Sequence, residues 1–76
     1  MLEIYENIRK RREELNMSQT ELASKCGYKD RSSIAKIEAG KVDLQISKVP
    51  QFAEALKITI SDLMGETWTN KMELLP

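Results

Sequence analysis

In this 76-residue chain, the stretch Arg31-Ser32-Ser33-Ile34-Ala35-Lys36-Ile37-Glu38-Ala39 carries the residues best suited to chemistry. Read at the helical period, Ile34, Ile37 and Glu38 fall on one side. Ser32, Ala35, Lys36 and Ala39 fall on the other, with Arg31 at the N-terminal edge. That outer face holds two cations, one hydroxyl and otherwise small side chains, and no acid. Arg and Lys donate to guanine O6 and N7, Ser can donate or accept, and small residues let a backbone approach the floor of a groove. The chemistry implied is hydrogen bonding to base edges. The alternative is an ordinary solvated helix face, which would more often carry Glu as well.

A second pair stands out because it breaks an apolar pattern. Arg12 lies eight residues past Ile4, on the stripe formed by Ile4, Ile8 and Leu15. Glu38 lies four residues past Ile34, on the inner face of its own helix. An unpaired buried charge is very costly, so the economical reading is that Arg12 and Glu38 meet and lock two helices together. The competing reading has Arg12 tilting outward to touch phosphate.

The elements that must position these residues follow from periodicity and stop signals. Strand alternation is absent, and apolar residues recur at helical spacing. The first helix is expected over Glu3 to Leu15. The second begins at Ser18, where Ser18-Gln19-Thr20-Glu21 reads as a capping box with Met17 stapling onto Leu22. Leu22, Ala23 and Cys26 face inward, and Gly27 stops the helix. After the turn Tyr28-Lys29-Asp30, Asp30 caps the third helix and Gly40 ends it. A loop from Lys41 to Ile46 leads to Ser47, expected to cap a fourth helix with Pro50 in its first turn. Phe52, Ala53 and Leu56 point into the core. Thr59-Ile60-Ser61-Asp62 opens a short fifth helix that ends at Gly65. Residues 1–65 read as one domain and 66–76 as a tail, in which Trp68 is expected to pin the segment to the body or to a partner chain.

Composition narrows the function classes. A domain this small has little room for a deep catalytic cleft. There is one cysteine and no histidine. Cys/His zinc sites, internal disulfides and Ser–His or Cys–His catalytic pairs are therefore excluded. Cys26 reads as a small core residue. No Gly-rich phosphate loop is present, so neither an enzyme nor a cofactor site nor a small-molecule substrate is expected. No apolar run could span a membrane and no signal-peptide pattern opens the chain, which predicts a cytoplasmic protein. Twelve basic residues balance twelve acidic ones, for a formal net charge of zero and a pI of about 6.3. That sum does not favour a nucleic-acid binder. The distribution does, because basic residues, including the run Arg9-Lys10-Arg11-Arg12, concentrate in the first two thirds.

The phrases Ser18-Gln19-Thr20-Glu21-Leu22-Ala23, Gly27 and Ser33-Ile34-Ala35-Lys36-Ile37-Glu38-Ala39-Gly40-Lys41 together resemble the lambda-repressor-like, Cro/C1-type (XRE) helix-turn-helix family. The resemblance covers roughly Ile4 to Gly65. The runs Gly27 to Ile34 and Ser61-Asp62-Leu63-Met64-Gly65 are similar to phage- and prophage-type repressors of low-GC Gram-positive bacteria. It implies an all-α, five-helix domain that binds a two-fold symmetric double-stranded DNA operator as a homodimer, with the third helix in the major groove. Dimerisation would use the fifth helix and the loop before the fourth. Position by position, it implies base contacts from Arg31, Ser32 and Lys36. Backbone contacts would come from Ser18, Gln19 and Lys41. Arg12 and Glu38 match an ion pair found in some members. The turn Tyr28-Lys29-Asp30 is one residue longer than the commonest form, so Lys29 or Tyr28 could reach the DNA backbone. Lys36 replaces a frequent neutral residue, and Ala39 stands where a phosphate-contacting side chain is common. A C-terminal dimerisation or self-cleavage domain follows in full-length phage repressors. Here the chain stops at Pro76, so that domain is either cut away or never existed. The same fold also serves as a protein-interaction module, antitoxin-like or a phage regulatory partner, and that reading stands as the alternative.

Overall fold

The computed structural model describes residues 3–65. In them the chain forms five α-helices: α1 (Glu3–Glu14), α2 (Gln19–Lys25), α3 (Arg31–Glu38), α4 (Val49–Ala55) and α5 (Ile60–Met64). A single 3-10 turn, Ile46–Lys48, leads into α4. No strand occurs among the described residues. The tail from residue 66, with Trp68, lies outside them.

Three helices begin on the side chains expected to cap them. Ser18 accepts from the Glu21 amide at 3.0 Å, Asp30 from the Ser32 amide at 2.9 Å, and Thr59 from the Asp62 amide at 3.0 Å. Each satisfies one of the backbone donors that a helix start leaves without a partner. The fourth expected cap is corrected. Ser47 lies inside the 3-10 turn, Lys48 is the residue before α4, and no side chain caps that helix. The 3-10 turn supplies the transition instead, with the Lys48 amide on the Gln45 carbonyl at 2.9 Å. Pro50 sits in the first turn of α4, where its missing N–H costs nothing.

Four of the helix ends share one design. After α2 the Tyr28 amide reaches the Ala23 carbonyl (2.9 Å) and the Gly27 amide the Ser24 carbonyl (3.3 Å). This is the left-handed cap for which glycine is suited, and Gly27 has φ +79°. The same pair of bonds follows α3 at Gly40, and follows α1 and α4 at Asn16 and Lys57. Those two are non-glycine residues in the left-handed region, at φ 54° and 57°. Arg11 secures the second of them from α1, its guanidinium donating to the Leu56 and Lys57 carbonyls at 2.9 and 3.2 Å.

The core lies where all five helices meet. It contains Ile4, Tyr5 and Ile8 of α1, Leu22 and Ala23 of α2 with Cys26, and Ile34 and Ile37 of α3. Val49, Phe52 and Ala53 of α4 with Leu56, and Leu63 of α5, complete it. Met17 joins Leu22 in this cluster, while Leu15 packs at its edge. Burying one side chain of the size of Phe52 or Leu22 stabilises the fold by roughly 1.5–3 kcal/mol. Gly65 ends α5 at φ +83°, and a Cβ there would lie 2.6 Å from the carboxyl carbon of Glu3.

Candidate nucleic-acid interface

The packing of α2 and of α1 against α3 sets which side of α3 faces out. Ile34, Ile37 and Glu38 are buried, whereas Arg31, Ser32, Lys36 and Ala39 are exposed and Ala35 is half-buried. Glu38 is the single acid of α3, so the outward face presents cations, hydroxyls and small side chains.

Glu38 meets Arg12. Arg12 Nε donates to Glu38 Oε2 at 2.7 Å and Nη2 to Oε1 at 3.1 Å, while Nη1 donates to the Met17 carbonyl at 2.8 Å. The side chains are 12% and 4% exposed. A two-pronged guanidinium–carboxylate pair is the strong form of this interaction. The Glu38 hydrogen bond raises the Arg12 pKa above the ordinary arginine value, against partial burial, which acts to lower it. Gln19 joins the group from the first turn of α2, its Nε2 donating to Glu38 Oε1 at 3.2 Å. The start of α2, the end of α1 and the last turn of α3 therefore share one polar knot. Gln19 is half-buried, and its amide nitrogen points to Glu38.

At the other end of α3 the hydroxyl of Ser32 donates to Asp30 Oδ1, which also accepts from the Ser32 amide. These two bonds, led by the hydroxyl, hold the Asp30 carboxyl below the usual aspartate range. With its hydroxyl donating to Asp30, the exposed Ser32 keeps its oxygen as an acceptor. Lys29 and Lys41 are exposed on the turns before and after α3, and Ser18 is exposed at the start of α2.

Lys36 borders a groove of about 400 Å³ between α3 and the segment that follows it, with Tyr28, Ser33, Val42 and Lys48 among its walls. Tyr28 is half-buried and stacks at a tilt on Phe52, with ring centroids 6.1 Å apart. Burial, chiefly, raises its phenol pKa. Two cations of the basic run are spent inside the fold, Arg11 on the end of α4 and Arg12 on Glu38. Arg9 and Lys10 remain exposed. Sequence periodicity located Arg12 because it interrupts an apolar stripe. Arg11 and Lys48 give no such signal, since each reaches across to carbonyls that only the tertiary fold brings near.

Among the described residues no cluster of His, Cys, Asp and Glu could hold a metal ion, and no helix is long and apolar enough to cross a membrane. Cys26 is fully buried, and desolvation pushes its thiol up to about 11 despite the opposing charge of Lys48.

Two helices joined by a tight turn, with the second presenting donors outward, define a DNA-binding helix-turn-helix. The helix-turn-helix family matches residues 8–63, and the chain belongs to it, in its Cro/C1-type branch of DNA-binding transcriptional regulators. Among solved structures, the chain is similar to the crystal structure of hypothetical transcription factor NHTF from Neisseria. The TM-score is 0.75 at 26% identity, over 95% of this chain and 80% of that one. No curated protein matches the chain in sequence.

Proposed function

We propose that the protein is a phage- or prophage-type repressor that binds a two-fold symmetric operator as a dimer, with α3 in the major groove. The observation that carries this reading is the asymmetry of α3. Its one acid is turned inward onto Arg12, and its exposed side offers Arg31, Ser32 and Lys36 with Ala35 and Ala39 between them. Arg31 and Lys36 donate to guanine edges. Ser32, with its proton on Asp30, accepts from the exocyclic amine of adenine or cytosine. Ser18 and Gln19 at the start of α2, and Lys29 and Lys41 on the segments flanking α3, contact phosphate and fix register without reading sequence. Gln19 does so with its carbonyl end turned from Glu38 and its second amide proton.

The dimer contact proposed is the apolar depression of about 200 Å³ lined by Ile46, Val49, Pro50, Ile60 and Met64. Ile46 is 69% exposed and Ile60 42%. That same depression is the observation that favours the second reading, a module that binds a partner protein.

Selection of bound duplexes from a random library at physiological salt tests the proposal. A symmetric consensus with half-sites about one helical turn apart supports the dimeric repressor. No enrichment by folded protein supports the partner-binding module. Salt separates the two further: phosphate contacts give a log–log slope of about −0.9 each, and an apolar interface responds little.

A further inference from the structure

Lys48 stands in an electrostatically poor place for a cation. It immediately precedes α4, at the positive end of that helix's dipole. Its side chain leaves that position and crosses to the opposite pole of another helix. Lys48 Nζ donates to the carbonyl of Cys26, the last residue of the α2 cap, at 3.3 Å. The same ammonium lies 5.0 Å from the centroid of the Tyr28 ring, within cation–π range. Tyr28 in turn rests on Phe52 in the core. Gly27 sits directly beneath: a Cβ there would be 4.0 Å from Lys48 Nζ and 3.8 Å from the Gln51 amide. Lys48 therefore ties the end of α2, and Tyr28 at the start of the turn, to the start of α4.

That turn, Tyr28-Lys29-Asp30, delivers the chain into α3, whose first residues are Arg31 and Ser32. Lys29 and Asp30 are exposed, whereas Tyr28 is half-buried and packs against the core. Tyr28 anchors the turn to the core, and Lys48 covers the ring of Tyr28. A shift of the turn would move Asp30, its hydrogen bonds to Ser32, and the directions of Arg31 and Ser32 together. Lys36, one turn further along α3, is fixed by Ile34 and Ile37 on either side and would move less.

We infer that Lys48 is a positioning residue for sequence reading: by clamping Tyr28 and the end of α2 it sets the register of the turn, and through it the discrimination exercised by Arg31 and Ser32. The inference rests on the DNA-reading function proposed above.

The test compares wild type, Lys48→Met and Lys48→Arg on the selected duplex and on its single-base variants, with the salt slope and thermal stability recorded for each. Lys48→Met is expected to lose roughly three- to tenfold of discrimination at the bases facing Arg31 and Ser32. It should keep discrimination at those facing Lys36 and leave the salt slope unchanged. Lys48→Arg should restore the loss, because a guanidinium also stacks on an aromatic face and donates to a carbonyl. Tyr28→Leu, which keeps the packing on Phe52 but removes the ring face, should reproduce the Lys48→Met pattern and serves if that variant fails to fold. A salt slope lowered by about 0.9 per protomer, with affinity falling alike on every sequence, would make Lys48 a phosphate contact and overturn the inference. A lowered melting temperature with full discrimination would overturn it in favour of a stabilising role alone. If wild type selects no sequence, the DNA-reading function itself fails and takes this inference with it.

Discussion

At its C-terminal end α3 is held by a buried carboxylate in three hydrogen bonds, two from Arg12 and one from Gln19. At its N-terminal end it is held by an exposed carboxylate, Asp30, in two bonds to the amide and hydroxyl of Ser32. Both are carboxylates, but their surroundings differ, and so does what each can do. The inner one works at low dielectric, where salt screens little and the loss of a partner strands a charge. The outer one is bathed in solvent, so it directs local geometry without contributing much to global stability. The lesson is a division of labour: the far end of α3 is anchored to the body, and the end that leads the reading residues is tuned by short-range bonds.

The sharpest way to break this comparison is at the inner end. Glu38→Ala should lower unfolding free energy by about 3–5 kcal/mol, since it leaves Arg12 buried without its partner. Denaturant titration measures this, and a change below about 1 kcal/mol would make the pair no stronger than a surface one. Next in size is the middle of the helix. Lys36→Ala should cost about 1–3 kcal/mol of specific binding and relax preference near the centre of each half-site. An equal loss on all duplexes would make Lys36 a phosphate contact. Gln19→Ala links the two regions, because Gln19 belongs to the inner knot and to the proposed phosphate-contacting set. It should cost about 0.5–1.5 kcal/mol of stability for its hydrogen bond and weaken binding with the consensus unchanged, as competition between cognate and random duplexes would show.

The smallest effect belongs to the outer end and is a pH effect. Asp30 has its folded-state pKa held below the ordinary aspartate value by Ser32. Its contribution is therefore complete above that ordinary value and disappears as pH falls through the lower folded one. Amide exchange at Ser32 and Ser33 should quicken selectively over that acidic interval, ahead of global unfolding. Simultaneous loss of protection across α1 and α3 would show that the cap is not a separate local element.

Much of this arrangement was legible in the residues. Capping side chains, glycine stops and apolar stripes located all five helices, and the misplaced charges of Arg12 and Glu38 pointed to one another. The helical period placed Arg31 and Lys36 on the outer side of α3, where both are exposed. What escaped had physical reasons. Asn16 and Lys57 end their helices in a conformation that glycine advertises and other residues do not. Tyr5 lies beside the expected stripe of Ile4, Ile8 and Leu15 yet is buried, its phenol oxygen accepting from the Leu44 amide at 3.3 Å. Ser47 carries a good capping side chain but falls inside a 3-10 turn that Pro50 and Val49 follow. Arg11 and Lys48 cap helices distant in sequence, and local pattern contains no trace of such partners. The engagement of Ser32 with Asp30 turns a residue of two hydrogen-bonding roles into one, which only the rotamer reveals.

The Glu3 carboxylate fills the space that a side chain at Gly65 would need, and this has a topological consequence. The chain enters and leaves the folded unit at adjacent points, as in domains that tolerate insertion into a host loop or reconnection of their ends. A short linker from residue 65 back to residue 3 would close the unit into a ring with little strain. New ends could then be opened at an exposed turn remote from α3. This small unit is thus portable by geometry, since whatever precedes or follows it in a longer polypeptide attaches through a single doorway.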